Sequence, residues 1–181
     1  MSTDYILSST TSDLTGPFEG GASGFQKKLL VATETAANLS VTVPGNDISS
    51  SYIFCEPGIP GTDGLSIGAF TVILRASAAS GTNSLQVTLA RVNSSNVVQA
   101  QTALSTAQSI STTPTDKTFS FTDPALGTWT TGDRFRVRIR MNTTGASPRA
   151  ITIEAGGTHT KITVPWNTPP PSTFQPQAIL L

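Results

Sequence analysis

The segment Arg134-Phe-Arg-Val-Arg-Ile-Arg-Met141 alternates charge and apolarity with a period of two, the side-chain period of a β-strand. Phe135, Val137, Ile139 and Met141 therefore share one face, and Arg134, Arg136, Arg138 and Arg140 share the other. The apolar face must pack on a core. The guanidinium face is either solvated, paired with carboxylates on a neighbouring strand, or pressed against an acidic partner. A chain that contains this strand is committed to a sheet with one face against a core and the other against something else.

The remainder of the sequence extends that commitment. Short strands are expected near 28–33, 39–43, 51–56, 68–78, 84–93, 97–103, 117–122, 134–142, 149–155 and 160–164. Between them stand turn formers such as Pro44-Gly-Asn-Asp47, Ser80-Gly-Thr-Asn83, Asn93-Ser-Ser-Asn96 and Gly145-Ala-Ser-Pro148. The one helical candidate is Thr102–Ile110, a turn or two at most. Evenly spaced short strands predict an all-β fold, an antiparallel β-sandwich of jelly-roll type with extended N- and C-terminal arms. Residues 1–27, rich in Ser, Thr and Gly with isolated apolar points at Tyr5, Ile6, Leu7 and Phe18, read as an N-terminal arm; 28–166 read as the sandwich. Residues 167–181 read as a tail in which Pro169-Pro-Pro171 carries the apolar end Ala178-Ile179-Leu180-Leu181 away from the domain.

Charge is sparse and balanced, with 11 basic and 11 acidic residues, so capture of nucleic acid or an anionic membrane by net charge is not expected. It is unevenly spread: residues 1–63 hold seven acids against two bases and residues 64–181 nine bases against four acids. Regions of opposite sign can pair within a chain or between subunits. Roughly fifty Ser and Thr suit the solvated faces of β-sheets. Cys55 is the only cysteine, which excludes an intrachain disulfide and a cysteine metal site, and it is expected to act as a small core hydrophobe. The first residues lack the pattern of a secretory signal and no apolar run reaches membrane-spanning length; the expectation is a protein made and kept soluble in a cytoplasm.

Catalytic signals are thin. His159, the only histidine, lies in Gly156-Gly-Thr-His-Thr160 and reads as a turn or surface residue. No phosphate-loop, dinucleotide, zinc-protease or nucleophile-elbow pattern occurs. Asp47, Asp63, Asp116 and Asp133 stand singly rather than as an alternating calcium set, so no metal and no cofactor is expected. Trp129 reads as a plug for one end of the sandwich and Trp166 as an anchor for the outgoing tail; the rival reading makes them stacking platforms for sugars. The candidate interface comprises Tyr5, Ile6, Leu7 and Phe18 of the arm, the four arginines, with Glu154 or Asp116 as partners in the solvated reading, and Ile179, Leu180 and Leu181 of the tail.

Phe70-Thr-Val-Ile-Leu-Arg75, Leu85-Gln-Val-Thr-Leu-Ala-Arg91 and Trp129-Thr-Thr-Gly-Asp-Arg-Phe-Arg-Val-Arg-Ile139 together resemble the β-sandwich accessory proteins of tailed-bacteriophage virions, the capsid cement or decoration proteins foremost, with tail-fibre and baseplate modules next. The resemblance spans roughly residues 28–165 and is one of pattern and composition, with no motif that transfers site residues. It implies a non-enzymatic homotrimer located on the virion, bound to the major capsid protein or other virion subunits, whose terminal arms clasp neighbours. It implies no nucleic-acid or membrane partner. Carbohydrate binding, on a tail or adhesin, is the alternative, and a small enzyme stays open behind it.

Overall fold

The computed structural model describes residues 2–11, 26–30, 35–46, 48–55 and 64–167. Among them the regular structure is all strand: β1 (Ser2–Thr11), β2 (Gln26–Leu30), β3 (Ala37–Val43), β4 (Ile48–Cys55), β5 (Ser66–Ile67), β6 (Phe70–Ala78), β7 (Asn83–Val92), β8 (Val98–Gln101), β9 (Gln108–Ile110), β10 (Thr115–Phe121), β11 (Arg134–Thr143), β12 (Arg149–Ala155) and β13 (Lys161–Asn167). The fold is an antiparallel β-sandwich of jelly-roll type. Among the described residues only β2 and β4 pair in parallel.

One hydrogen-bonded ladder folds over to make both layers, in the order β3-β12-β6-β13-β1-β2-β4-β11-β7-β8, with β10 on β6, β5 on β13 and β9 on β7. The first layer centres on β6, flanked by β10 on one edge and by β13 and β12 on the other. The second centres on β11 and β7. The chain crosses between layers from β6 to β7, from β9 to β10, from β10 to β11 and from β11 to β12.

Period-two patterning fills the space between the layers. Phe70, Val72 and Leu74 of β6 face Leu85, Val87 and Leu89 of β7 and Phe135, Val137, Ile139 and Met141 of β11 in one core cluster. The alternation expected of the arginine strand therefore holds on its apolar side.

The N-terminal expectation needs correction. Residues 2–11 do not form an arm; they are β1, inserted between β13 and β2, where Ser2 lies opposite Pro165 and Leu7 opposite Leu29. Tyr5, Ile6 and Leu7 are buried, and Tyr5 and Leu7 belong to the core cluster. The short run Tyr-Ile-Leu is too sparse in sequence to announce a strand, but two partner strands satisfy its backbone on both edges, and burial on both faces supplies the driving force. Lys27 Nζ also donates to the Ser9 carbonyl at 2.7 Å, tying β2 to β1. Phe18 and Ile179, Leu180 and Leu181 lie outside the described residues, as do the segments 12–25 and 168–181 that contain them.

Two interruptions of the ladder show how hydroxyl groups maintain it. Along one edge of β6 the pairing passes from β13 to β12, and at the gap the Arg75 amide donates to Thr160 Oγ1 at 3.1 Å. Along one edge of β7 the pairing passes from β9 to β8. The intervening segment stays extended, with the Val87 and Leu89 amides donating to Ser105 Oγ and Thr102 Oγ1 at 2.8 and 3.1 Å. Residues 102–107 are thus an extended bridge rather than helical turns, because their hydroxyls take up backbone donors that a helix would leave unused.

Candidate functional site

The four guanidinium groups of the arginine strand differ in position. Arg134 and Arg136 are buried, 5% and 2% exposed, whereas Arg138 and Arg140 are half-buried. Of the readings open for this face, full solvation does not hold for the first two. They do lie on the face opposite the core residues, but the chain itself covers that face at the start of β11, where Ala90 and Val92 of β7, opposite Arg136 and Arg134, are buried as well. Toward Arg138 and Arg140 the cover thins: both are half-buried, with Thr88 opposite Arg138 still buried and Gln86 opposite Arg140 half-buried.

The carboxylates named as partners for that strand lie elsewhere. Asp116 on β10 and Glu154 on β12 flank Arg75 on the outer face of the first layer: Arg75 Nη1 is 3.1 Å from Asp116 Oδ1, and Arg75 Nε is 3.6 Å from Glu154 Oε2. His159, exposed in its turn as expected, brings Nδ1 to 3.4 Å from Asp116 Oδ2. Partial burial pushes the Asp116 carboxyl up, but the hydrogen bonds and charges of Arg75 and His159 outweigh that and hold it below the ordinary carboxylate range. Beside this row a shallow cleft of about 190 Å³ is lined by Asn38, Arg75, Ser77, Thr152 and Glu154 among others. Sequence reasoning missed the row because it depends on β10, β6 and β12 being neighbours, which no local pattern announces.

The tryptophans settle into structural roles. Trp129 and Trp166 are 1% and 3% exposed and meet edge-on with ring centres 5.2 Å apart; Trp129 also packs on Phe135, which touches Phe70. Arg91 closes this end. Its guanidinium carbon sits 5.8 Å from the centre of the Trp129 ring, its Nε donates to the Leu126 carbonyl at 2.9 Å, and its Nη1 lies 2.7 Å from Asp133 Oδ2. The same Asp133 oxygen accepts the Thr130 amide and hydroxyl at 2.9 and 3.0 Å. Burial pushes the Asp133 carboxyl up; the Thr130 and Arg91 donors outweigh it and hold the group below its usual range. As stacking platforms for sugars the tryptophans are unavailable.

Among the described residues, no group of three or more His, Cys, Asp or Glu side chains is placed to hold a metal, and no helix is long and apolar enough to cross a membrane. The described part of the chain leaves the sandwich at opposite ends. Thr11 and Lys27 lie together at one end, whereas Asn167 follows Pro165 and lies at the end where Ser2 begins.

No family model matches this sequence, and no curated protein matches it. Solved structures do share its shape. A CocE/NonD family hydrolase from Staphylococcus aureus aligns with a TM-score of 0.59 at 10% identity, over 92% of this chain and 36% of the hydrolase chain. An α-amino acid ester hydrolase aligns with a TM-score of 0.54 at 14% identity, over 92% of this chain and 36% of that one. The chain thus spans about 36% of the length of these hydrolases, and at such identities the likeness establishes the fold alone. A structure of infectious bursal disease virus, Gx strain, overlaps 86% of this chain at a TM-score of 0.30 and 12% identity, too weak a superposition to carry an argument.

Proposed function

We propose that this chain is a non-enzymatic structural protein of a virion, made in the host cytoplasm, that binds the outer capsid surface as a homotrimer and stabilises it by gripping neighbouring subunits. The observation that carries this reading is that the described strands bordering segments 12–25 and 168–181 stop at opposite ends of the sandwich, Thr11 and Lys27 at one and Asn167 at the other. Two attachments at opposite ends let a single subunit reach two neighbours, which is the geometry that reinforcement of a shell requires. The half-exposed Arg138 and Arg140 offer a third contact, suited to carboxylates on the capsid.

The test is attachment to capsids assembled from the major capsid protein of the genome that encodes this chain. Full-length protein is expected to co-sediment with them. Replacing residues 12–24 by a short Gly-Ser linker, or removing 168–181, is expected to weaken attachment at least tenfold while leaving the thermal transition in place. Undiminished attachment by both variants overturns the reading.

A second reading has one observation in its favour. The cleft beside Arg75, with Asn38, Ser77, Thr152 and Glu154, presents both donors and acceptors, as recognition of a host-surface carbohydrate demands. With both tryptophans buried, such binding would rest on hydrogen bonds alone. Loss of glycan binding in Glu154→Gln, at unchanged stability, is the expected mark of that function.

A further inference from the structure

On the open flank of the sandwich a groove runs between β10 and the bridge that follows β8. Two adjoining hollows of about 340 and 290 Å³ share Ser105, Thr106 and Ser120. β10 pairs with β6 along one edge and, among the described residues, with no strand along the other. The facing wall is rigid, because Thr102 and Ser105 are each held to β7 through backbone and hydroxyl together. Leu104 on that wall, 37% exposed, is one of two large apolar side chains left exposed among the described residues. Asp123, at the mouth, is the one charged residue in the lining.

From this geometry, and resting on the attachment through chain ends proposed above, we infer that the groove receives the C-terminal segment of a second copy of this chain as an added β-strand. An open strand edge presents main-chain donors and acceptors in register for an extended partner, and flanking hollows then select its side chains. Residues 168–181, Thr-Pro-Pro-Pro-Ser-Thr-Phe-Gln-Pro-Gln-Ala-Ile-Leu-Leu, contain no Asp, Glu, Lys or Arg, which matches a groove with nearly no charge. After Pro176 the run Gln177–Leu181 is free of proline and can donate every amide.

Placement decides whose groove is filled. Trp166 lies opposite Ile67 and Phe121 opposite Phe70, so β13 ends at the same end of the sandwich as the mouth of the groove. β10 and β13 both pair antiparallel with β6 and therefore both run toward this end. β13 points outward at Asn167, and a proline run favours an extended continuation; in polyproline geometry residues 168–176 would span about 28 Å. Entering its own groove would demand a full reversal within that stiff spacer. The groove of a neighbouring copy, entered from its mouth, accepts the tail antiparallel to β10 without one.

The experiment uses full-length chains in a Cys55→Ser background. One carries Ser120→Cys and the other Ile179→Cys, and they are mixed under mild oxidation. A disulfide-linked dimer is expected from the mixture at least tenfold above either variant alone, with a further Leu104→Glu change on the Ser120→Cys chain lowering its rate at least tenfold. As a check independent of the cysteine variants, a fluorescent peptide of residues 172–181 added to the unmodified chain is expected to raise its anisotropy, and Leu104→Glu to weaken that binding at least tenfold. No mixed dimer together with no peptide binding overturns the inference, as does a disulfide formed within one chain when both cysteines are placed on it at high dilution. A chain that fails both assays yet still attaches to capsids removes this inference alone. One that passes both but does not attach removes the virion function instead.

Discussion

Deleting residues 2–11 separates a clasping arm from a structural strand more sharply than any substitution. β1 buries Tyr5, Ile6 and Leu7, each contributing about 1.5–3 kcal/mol on leaving water, or roughly 5–9 kcal/mol together. Whole domains are stable by only about 5–15 kcal/mol. β1 is moreover the strand through which the ladder passes from β13 to β2 and β4, so its removal exposes the edges of both neighbours at the joint between the layers. The deleted protein is expected to lose its cooperative thermal transition. The milder Leu7→Ala is expected to cost about 2–5 kcal/mol, and hence to lower the melting temperature by roughly 4–20 °C at this chain length. Scanning calorimetry, with two-state unfolding in urea as a cross-check, measures both. A deletion variant that melts cooperatively within a few degrees of the full chain would falsify the placement of β1 and restore residues 2–11 to an arm.

Three further outcomes follow from the site geometry. Asp133→Asn is expected to destabilise the fold by about 1.5–3 kcal/mol at neutral pH, because it weakens a charge-assisted contact with Arg91 and the Thr130 donors. The folded carboxyl titrates below its unfolded value of about 3.9, so its contribution is full above that pH and disappears as pH falls through the lower, folded pKa; urea titrations from pH 7 to pH 3 should show less acid loss in the variant than in the parent. Trp129→Ala is expected to cost about 3–5 kcal/mol, and native tryptophan emission to be blue-shifted and insensitive to iodide and to added sugars; strong quenching would contradict the buried pair. Arg136→Ser is expected to cost about 1–3 kcal/mol, whereas Arg140→Ser stays within about 0.5 kcal/mol and shows its effect in attachment; equal melting shifts would erase the distinction drawn along β11.

The strand pattern was legible in the sequence wherever burial is one-sided. Phe135, Val137, Ile139 and Met141 reach the core because alternation records which face is dry, and β6, β7, β11 and β12 begin and end within two residues of their expected bounds. What escaped was set by pairing rather than pattern. β1 and β9 owe their extended form to partners distant in sequence, and Tyr5, Ile6, Leu7 and Ser8 are buried in succession, leaving no period to read. The arginine face misled for a related reason. Alternation tells which residues share a face but not what lies over it, and the start of β11 is covered by the chain while its middle is not. The Arg75 row and the Arg91 and Asp133 lock were invisible for want of strand order alone.

The abundance of Ser and Thr acquires a sharper meaning from these contacts than solvation of the outer faces. Thr160, Thr102 and Ser105 each stand in for a missing backbone acceptor where a strand has ended and its replacement has not begun, and Thr130 anchors the acid that holds Arg91. A hydroxyl is small enough to occupy such a gap, where a longer polar side chain would carry more rotamer entropy into the same bond. Its use makes short, interrupted edge strands stiff without extending them. Stiffness at the edges matters for attachment, because a strand added to a preformed groove costs ordering entropy on one side only. A sandwich with a packed apolar interior and hydroxyl-bonded flanks, whose described strands border segments 12–25 and 168–181 at opposite ends, fits the grip on neighbours proposed above, and this is the physical ground for seeking the function of this chain along its edges.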